Sequence, residues 1–301
     1  FVSDFGSASA LLELFPSMGG VLQYQKLEEG STLLSESFLG VDKALLGGAA
    51  FYHPSAPYEQ KLLPWTSDGF AWEWGGQNLS AQWSRIDEIL SSLSPSSGVV
   101  WEAQTNAALT EWFGSNFDFK TELAPLFDQE QYFGFTPEGN FLFIAELEAG
   151  EAKQVDALKD RLAQHLTFNL THTNEKGEVV AEQVKPSVEL VKQNETVTYE
   201  FKVNGEAKLS LVLLNDAVIL SNSSELALST LDKALGHSEG RNLQELEGLL
   251  PGSDEVLILH CPLLPDGNIL KTLVGGFESI LTTRKLFDDG VFTRTALKAQ
   301  L

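Results

Sequence analysis

Apolar residues recur in two rhythms along this chain. In EAKQVDALKDRLAQHL, Glu151 to Leu166, the residues Val155, Leu158, Leu162 and Leu166 fall on one stripe of a 3.6-residue turn and predict an amphipathic helix. In TVTYEFKVNGEAKLSLVLL the rhythm is two: Val197, Tyr199, Phe201 and Val203 alternate up to Asn204-Gly205, a dipeptide that accepts the positive backbone angles of a two-residue turn. That segment predicts a hairpin. GNFLFIAELE, Gly139 to Glu148, predicts a strand, and TFNLTHTNEKGEVVAEQV predicts two strands around a Glu-Lys-Gly turn. DAVILSNSSELALSTLDKAL predicts a short buried strand and then a helix, N-capped by Ser221 or Ser223 with Glu225 in its first turn. GVFTRTALKA, from Gly290, predicts an edge or closing strand.

A longer period overlies these. LELFPSMGGVLQYQ from Leu12, LSSLSPSSGVVWEAQ from Leu90 and LEGLLPGSDEVLILH from Leu246 align without gaps, each with a leucine two positions before a proline (Pro16, Pro95, Pro251). Proline cannot continue a Leu-x-x-Leu helix, and the small residues behind it supply a turn, so each stretch predicts helix, stop, strand. A second echo sets YEQKLLPWTSDGFAWEW from Tyr58 over FKTELAPLFDQEQYFGF from Phe119, with Trp72 over Phe133 and Trp74 over Phe135. The first copy covers Leu12 to Asn78, the second starts near Ile89 and the third is partial. The expected fold is α+β: mostly antiparallel twisted sheets with helices on one face, built from a duplicated helix-stop-strand unit. The expected divisions are an N-terminal repeat lobe at 1–88, a central α+β lobe with hairpins at 89–240 and a partial third repeat completing the sheet at 241–301.

Composition changes this picture mainly by exclusion. The 301 residues are 43% hydrophobic, enough for a substantial core, and carry 42 acidic against 20 basic side chains, a net charge of −22. Without a basic cluster there is no footprint for phosphate backbones, and anionic membrane surfaces are disfavoured for the same reason. No run approaches the ~20 apolar residues of a membrane helix. The chain starts at Phe1 and its only methionine is Met18, which leaves room for a signal peptide or membrane anchor upstream.

The Leu-x-x-Leu-x-Pro lead into a strand, NFDFKTELAPLF, FLFIAELEAGEAKQVDALKDRL and AVILSNSSELALSTLDKAL together resemble a bacterial family of envelope proteins, domain-of-unknown-function family 3352. The resemblance is best over Ile89 to Leu301. It implies a membrane-anchored extracytoplasmic protein, in the periplasm or at the cell surface, and supplies no catalytic residues.

Candidate chemistry is sparse. His260 and Cys261 are neighbours on an apolar run, and an imidazole beside a thiol is how cysteine nucleophiles are activated. Consecutive strand residues point to opposite faces, however. The aligned copies put Leu257, Leu259 and Cys261 on the apolar face and Ile258 and His260 on the more polar one, so the pair diverges. One cysteine forms neither an intrachain disulfide nor a paired-cysteine zinc site. His53, His165, His172 and His237 show no metal-ligand spacing, and LFDDGVFTR holds only the start of a calcium-loop pattern. Gly-x-Ser-x-Gly, His-Glu-x-x-His and phosphate-loop motifs are absent. Neither a catalytic residue, nor a metal site, nor a cofactor is therefore expected.

The aromatic stretch PWTSDGFAWEWGGQNLSAQW carries the best contact candidates: Trp65, Phe70, Trp72, Trp74 and Trp83. Phe70, Trp72 and Trp74 are expected on one face and Ala71 and Glu73 on the other. Such a row either is core, as the matching Phe133 and Phe135 favour, or stacks on a partner or ligand. Two functions are carried forward. The first is a non-catalytic extracytoplasmic module, an interaction or scaffold subunit that engages other envelope proteins with help from its negative surface. The alternative is a carrier or sensor of a hydrophobic ligand, whose mark would be a continuous apolar cavity above ~300 Å³.

Overall fold

A computed structural model describes residues 18–27, 32–41, 60–66, 69–77, 95–148, 150–173, 178–193, 196–243, 246, 253–264, 271, 274–287 and 290–299. The strands are β1 (Met18–Leu27), β2 (Thr32–Val41), β3 (Trp72–Gln77), β4 (Glu130–Phe135), β5 (Phe141–Glu146), β6 (Phe168–Thr173) and β7 (Val179–Val184). They continue with β8 (Ser187–Gln193), β9 (Thr196–Val203), β10 (Glu206–Leu213), β11 (Ala217–Ser221), β12 (Glu255–His260), β13 (Phe277–Phe287) and β14 (Gly290–Ala299). Among the described residues three α-helices accompany them: α1 (Pro95–Phe113), α2 (Ala152–His165) and α3 (Ser224–Ala234).

Twelve strands form one sheet in the order β1-β2-β14-β13-β12-β3-β4-β5-β11-β10-β9-β8, and β6 and β7 form a separate hairpin. The described pairings are antiparallel throughout. The three expected divisions thus share one sheet, since β3 is clasped between β12 from the C-terminal segment and β4 from the central one.

The periodicities translate directly in the central region. Val155, Leu158 and Leu162 are buried along α2, with Leu166 just past its end. Asn204 (φ 55°) and Gly205 (φ 84°) turn β9 into β10. Ser223 caps α3 by accepting from the Leu226 amide, with Glu225 in the first turn, and Ser221 in turn accepts from the Ser223 amide.

Three expectations need correction. First, helices cover both faces of the sheet. Phe143 and Ala145 of β5 and Val218 of β11 pack with α2, while Leu142, Ile144 and Ile219 point the other way, towards Ala227 and Leu231 of α3. This strict alternation buries both sides of each strand. Second, Pro95 starts a helix instead of stopping one. At the first helical position its missing N–H is no loss, and WEAQTNAALTEWF behind it is rich in helix formers. The helix-stop-strand reading therefore fails for the second copy; the strands after Pro16 and Pro251 are present as β1 and β12. Third, of the two roles expected for β14 the edge one fails: it closes β13 onto β2, and among the described residues the edges are β1 and β8.

The second echo has a spatial counterpart. Its two strands, β3 and β4, are antiparallel neighbours at the middle of the sheet, pairing Trp72 with Phe135 and Trp74 with Phe133. Opposite Glu73 in this register is Gly134, where an added Cβ would lie 2.7 Å from the Tyr132 hydroxyl and 2.8 Å from the Phe70 ring. Gly134→Ala should therefore cost about 1–3 kcal/mol by overpacking. Urea unfolding checks this, and an unchanged midpoint would contradict the close packing at Gly134.

Candidate functional site

The central strands place an acidic side chain where the sheet is most buried. Glu73, 1% exposed, stands on the β3 face that Ile258 of β12 flanks in register. A lone carboxylate there would be prohibitively desolvated, so it needs partners. Three converge on it. Arg241 Nη1 donates to Oε2 at 2.5 Å, the Tyr132 hydroxyl donates to the same oxygen at 2.8 Å, and His260 Nε2 lies 2.9 Å from Oε1. An ionised carboxylate only accepts, so His260 carries a proton on Nε2. The 3.3 Å approach of Arg241 Nη2 to that nitrogen is then a contact between two donors.

Burial pulls the Glu73 carboxyl upward, but the His260 hydrogen bond and the charge and hydrogen bonds of Arg241 and Tyr132 outweigh it and hold it below its ordinary range. Burial, with the Glu73 charge and hydrogen bond, pushes the Tyr132 phenol well above its usual value. Neither group is poised to exchange protons near neutrality. The cluster is a closed electrostatic clamp joining β3, β4, β12 and the segment after α3.

Local folding explains how Arg241 arrives there. Helix α3 ends at Gly236 (φ 72°), where the amides of Gly236 and His237 bond back to Lys233 and Asp232. The chain then docks on the short helical turn Leu63–Trp65, the Arg241 amide donating to Pro64 O at 2.8 Å. A Cβ on Gly240 would run into that same carbonyl, so this approach requires glycine. His260 is fixed by its own amide, which donates to Ala71 O at 3.0 Å.

A cavity of about 500 Å³ opens beside the clamp. Lys233, Arg241, His260, Lys298, Glu239 and Glu278 line it together with the nearly inaccessible Ile258, Leu281 and Ala296. Lys298 and Glu278 pair at 3.4 Å.

The predicted residues fare differently. Cys261 is 1% exposed, and burial raises its thiol, so it is a core group and not a nucleophile. Cys261 opens the short helical turn Cys261–Leu263 past the end of β12, so strand alternation does not reach it, and the faces of β12 are reversed: Val256 and Ile258 are buried, while Leu257 and Leu259 are half-buried. Of the other two aligned stretches, the second is helical and carries no strand parity. Phe70 does not share a face with Trp72 and Trp74. It precedes the regular strand, is 1% exposed and packs edge-on to Tyr132 on the clamp side. Trp72 and Trp74 are half-buried on the opposite face, where Trp72 packs with Phe133 and Phe135. Trp65 packs on the clamp-side core, and Trp83 lies outside the described residues.

Residue-by-residue reading missed the clamp. Its signals were Glu73 between two tryptophans, and His260 closing an apolar run. Among the described residues no group of three potential ligands could hold a metal ion, and no helix is long and apolar enough to cross a membrane. No protein-family model matches the chain, and no curated protein matches it.

Proposed function

We propose that this chain is a non-catalytic module of the bacterial cell envelope that binds another envelope protein along the β8 edge of its sheet. The observation that carries this reading is β8 itself. Among the described residues it ends the twelve-stranded sheet, and it exposes Val188 (39%) and Leu190 (48%). A terminal strand offers a row of backbone donors and acceptors to an incoming strand, and apolar side chains on it add contact area. Strand β7, which leads into β8, exposes Val179 and Val180 as well, so apolar surface concentrates along this stretch of chain. The net charge of −22 would steer a basic partner and repel another acidic one. The extracytoplasmic setting rests on the family resemblance.

The test is site-specific photo-crosslinking from position 190 in the native cells, with position 279, beside the cavity, as control. A crosslinked envelope protein seen only from position 190, and lost when Val188→Lys is added, is expected. A crosslink that survives Val188→Lys, or the absence of any crosslinked protein, would overturn the assignment of β8.

A further inference from the structure

The clamp fixes His260 through one ring nitrogen. Its Nε2 donates to Glu73 Oε1 at 2.9 Å, while Arg241 and Tyr132 hold the other carboxylate oxygen. In the neutral ring the lone pair then sits on Nδ1. A carboxylate that sets a histidine's tautomer in this way leaves the second nitrogen as a proton acceptor of fixed direction. Glu73 is sealed, but the His260 side chain is 23% exposed and lines the cavity of about 500 Å³. Strands β12 and β13 pair His260 with Ser279, and Ser279 lines the same cavity. Directly opposed residues of an antiparallel pair share a face with Cβ atoms about 4.5–5.5 Å apart, so rotation about χ1 alone turns the serine hydroxyl towards the ring. A nucleophile, a base and the acid that orients the base thus come from three strands of one sheet, β13, β12 and β3. The charges beside them are spent in pairs, Lys298 with Glu278 and Arg241 with Glu73, and take no part.

We propose that Ser279 is an acylation site, where the hydroxyl, with His260 as base and Glu73 orienting that base, takes the acyl group of a small carboxylic ester. Oγ bonds to the carbonyl carbon and its proton passes to His260 Nδ1. The bond from that carbon to the leaving oxygen breaks, and the departing alcohol carries the proton away. The acyl group stays on the chain, which makes this a covalent modification of a binding module. It lies away from the β8 edge, and either reading can fail alone.

Two probes test it on the whole chain. An alkyl fluorophosphonate should add a single phosphonyl group, the Oγ–P bond forming as P–F breaks, with fluoride leaving and the proton passing to His260. p-Nitrophenyl acetate should acetylate the same oxygen, and peptide mass spectrometry should place both adducts on Ser279. Ser279→Ala should abolish the phosphonyl adduct in the intact mass. His260→Gln keeps a donor for Glu73 but provides no base, and should slow fluorophosphonate labelling about a hundredfold, with the urea midpoint showing that the variant is folded. Should it unfold, the parent unfolded in urea replaces it and should lose labelling to the same degree. The absence of either adduct on Ser279, a phosphonyl adduct that survives Ser279→Ala, or a rate unchanged by folded His260→Gln or by unfolding would overturn the proposal.

Discussion

Glu73→Ala should lose about 3–5 kcal/mol of stability, the largest effect expected of any single substitution here. The clamp places two full charges where almost no water reaches: Glu73 is 1% exposed and the Arg241 side chain 5%. Removing the carboxylate leaves a buried guanidinium uncompensated and frees two further donors, the Tyr132 hydroxyl and His260 Nε2. A double-mutant cycle separates this from simple cavity formation. Glu73→Leu alone and Arg241→Met alone should each be costly, because each strands the other's charge. Glu73→Leu with Arg241→Met should recover much of the loss, since buried ion pairs replaced whole by apolar groups are often neutral or better. Urea denaturation of the four species measures the coupling; additive costs would show that Glu73 and Arg241 do not act as a pair. The sign with pH is also set. A carboxyl held below its unfolded value contributes stability above that value and loses it as pH falls through the folded one. The clamp therefore weakens only in acid.

Why the clamp was illegible while much of the sheet was not follows from range. The β9–β10 hairpin is written in one continuous stretch, because Asn204-Gly205 and its flanking alternation act within a few residues. Helix α2 and the cap of α3 are equally local. Glu73 and Arg241 lie 168 positions apart, and their meeting depends on β3 adding to β12, on α3 stopping at Gly236 and on Gly240 allowing contact with Pro64. No local pattern encodes a product of three tertiary events. Repeat alignment erred for a related reason: proline is compatible both with ending a helix and with opening one, and only packing decides. At Pro95 the helix formers behind it opened one; at β12 the residues Glu255 to His260 found two strands to join. The polar residue out of rhythm was the usable signal. A charge between two tryptophans in a central strand predicts a buried counter-charge, though not which one.

The second large effect has the opposite sign with pH and comes from the same face of β4. Glu130, 3% exposed, accepts from the Leu62 amide at 2.8 Å through Oε1, but its Oε2 is buried without a hydrogen-bond partner. Burial, aided by the nearby Glu146 charge, raises its pKa from 4.5 to about 7, against the downward pull of the Leu62 and Lys61 amides and the Lys61 charge. Between those two values the unfolded chain has released the proton and the folded chain retains it, so stability falls as pH rises across that window and levels off above it. The difference in pKa corresponds to about 3 kcal/mol. Glu130→Gln keeps the acceptor for Leu62 and cannot ionise. Its stability relative to the parent should therefore be about 2–3 kcal/mol more favourable at pH 8 than at pH 5, whatever its absolute offset. Parallel urea titrations of parent and variant from pH 5 to pH 8 measure this; parallel curves would place the Glu130 carboxylate in contact with water. Because Glu130 anchors the Leu62 amide just ahead of Leu63–Trp65, and Pro64 of that turn receives the Arg241 amide, the two carboxylates load one structural joint from either side.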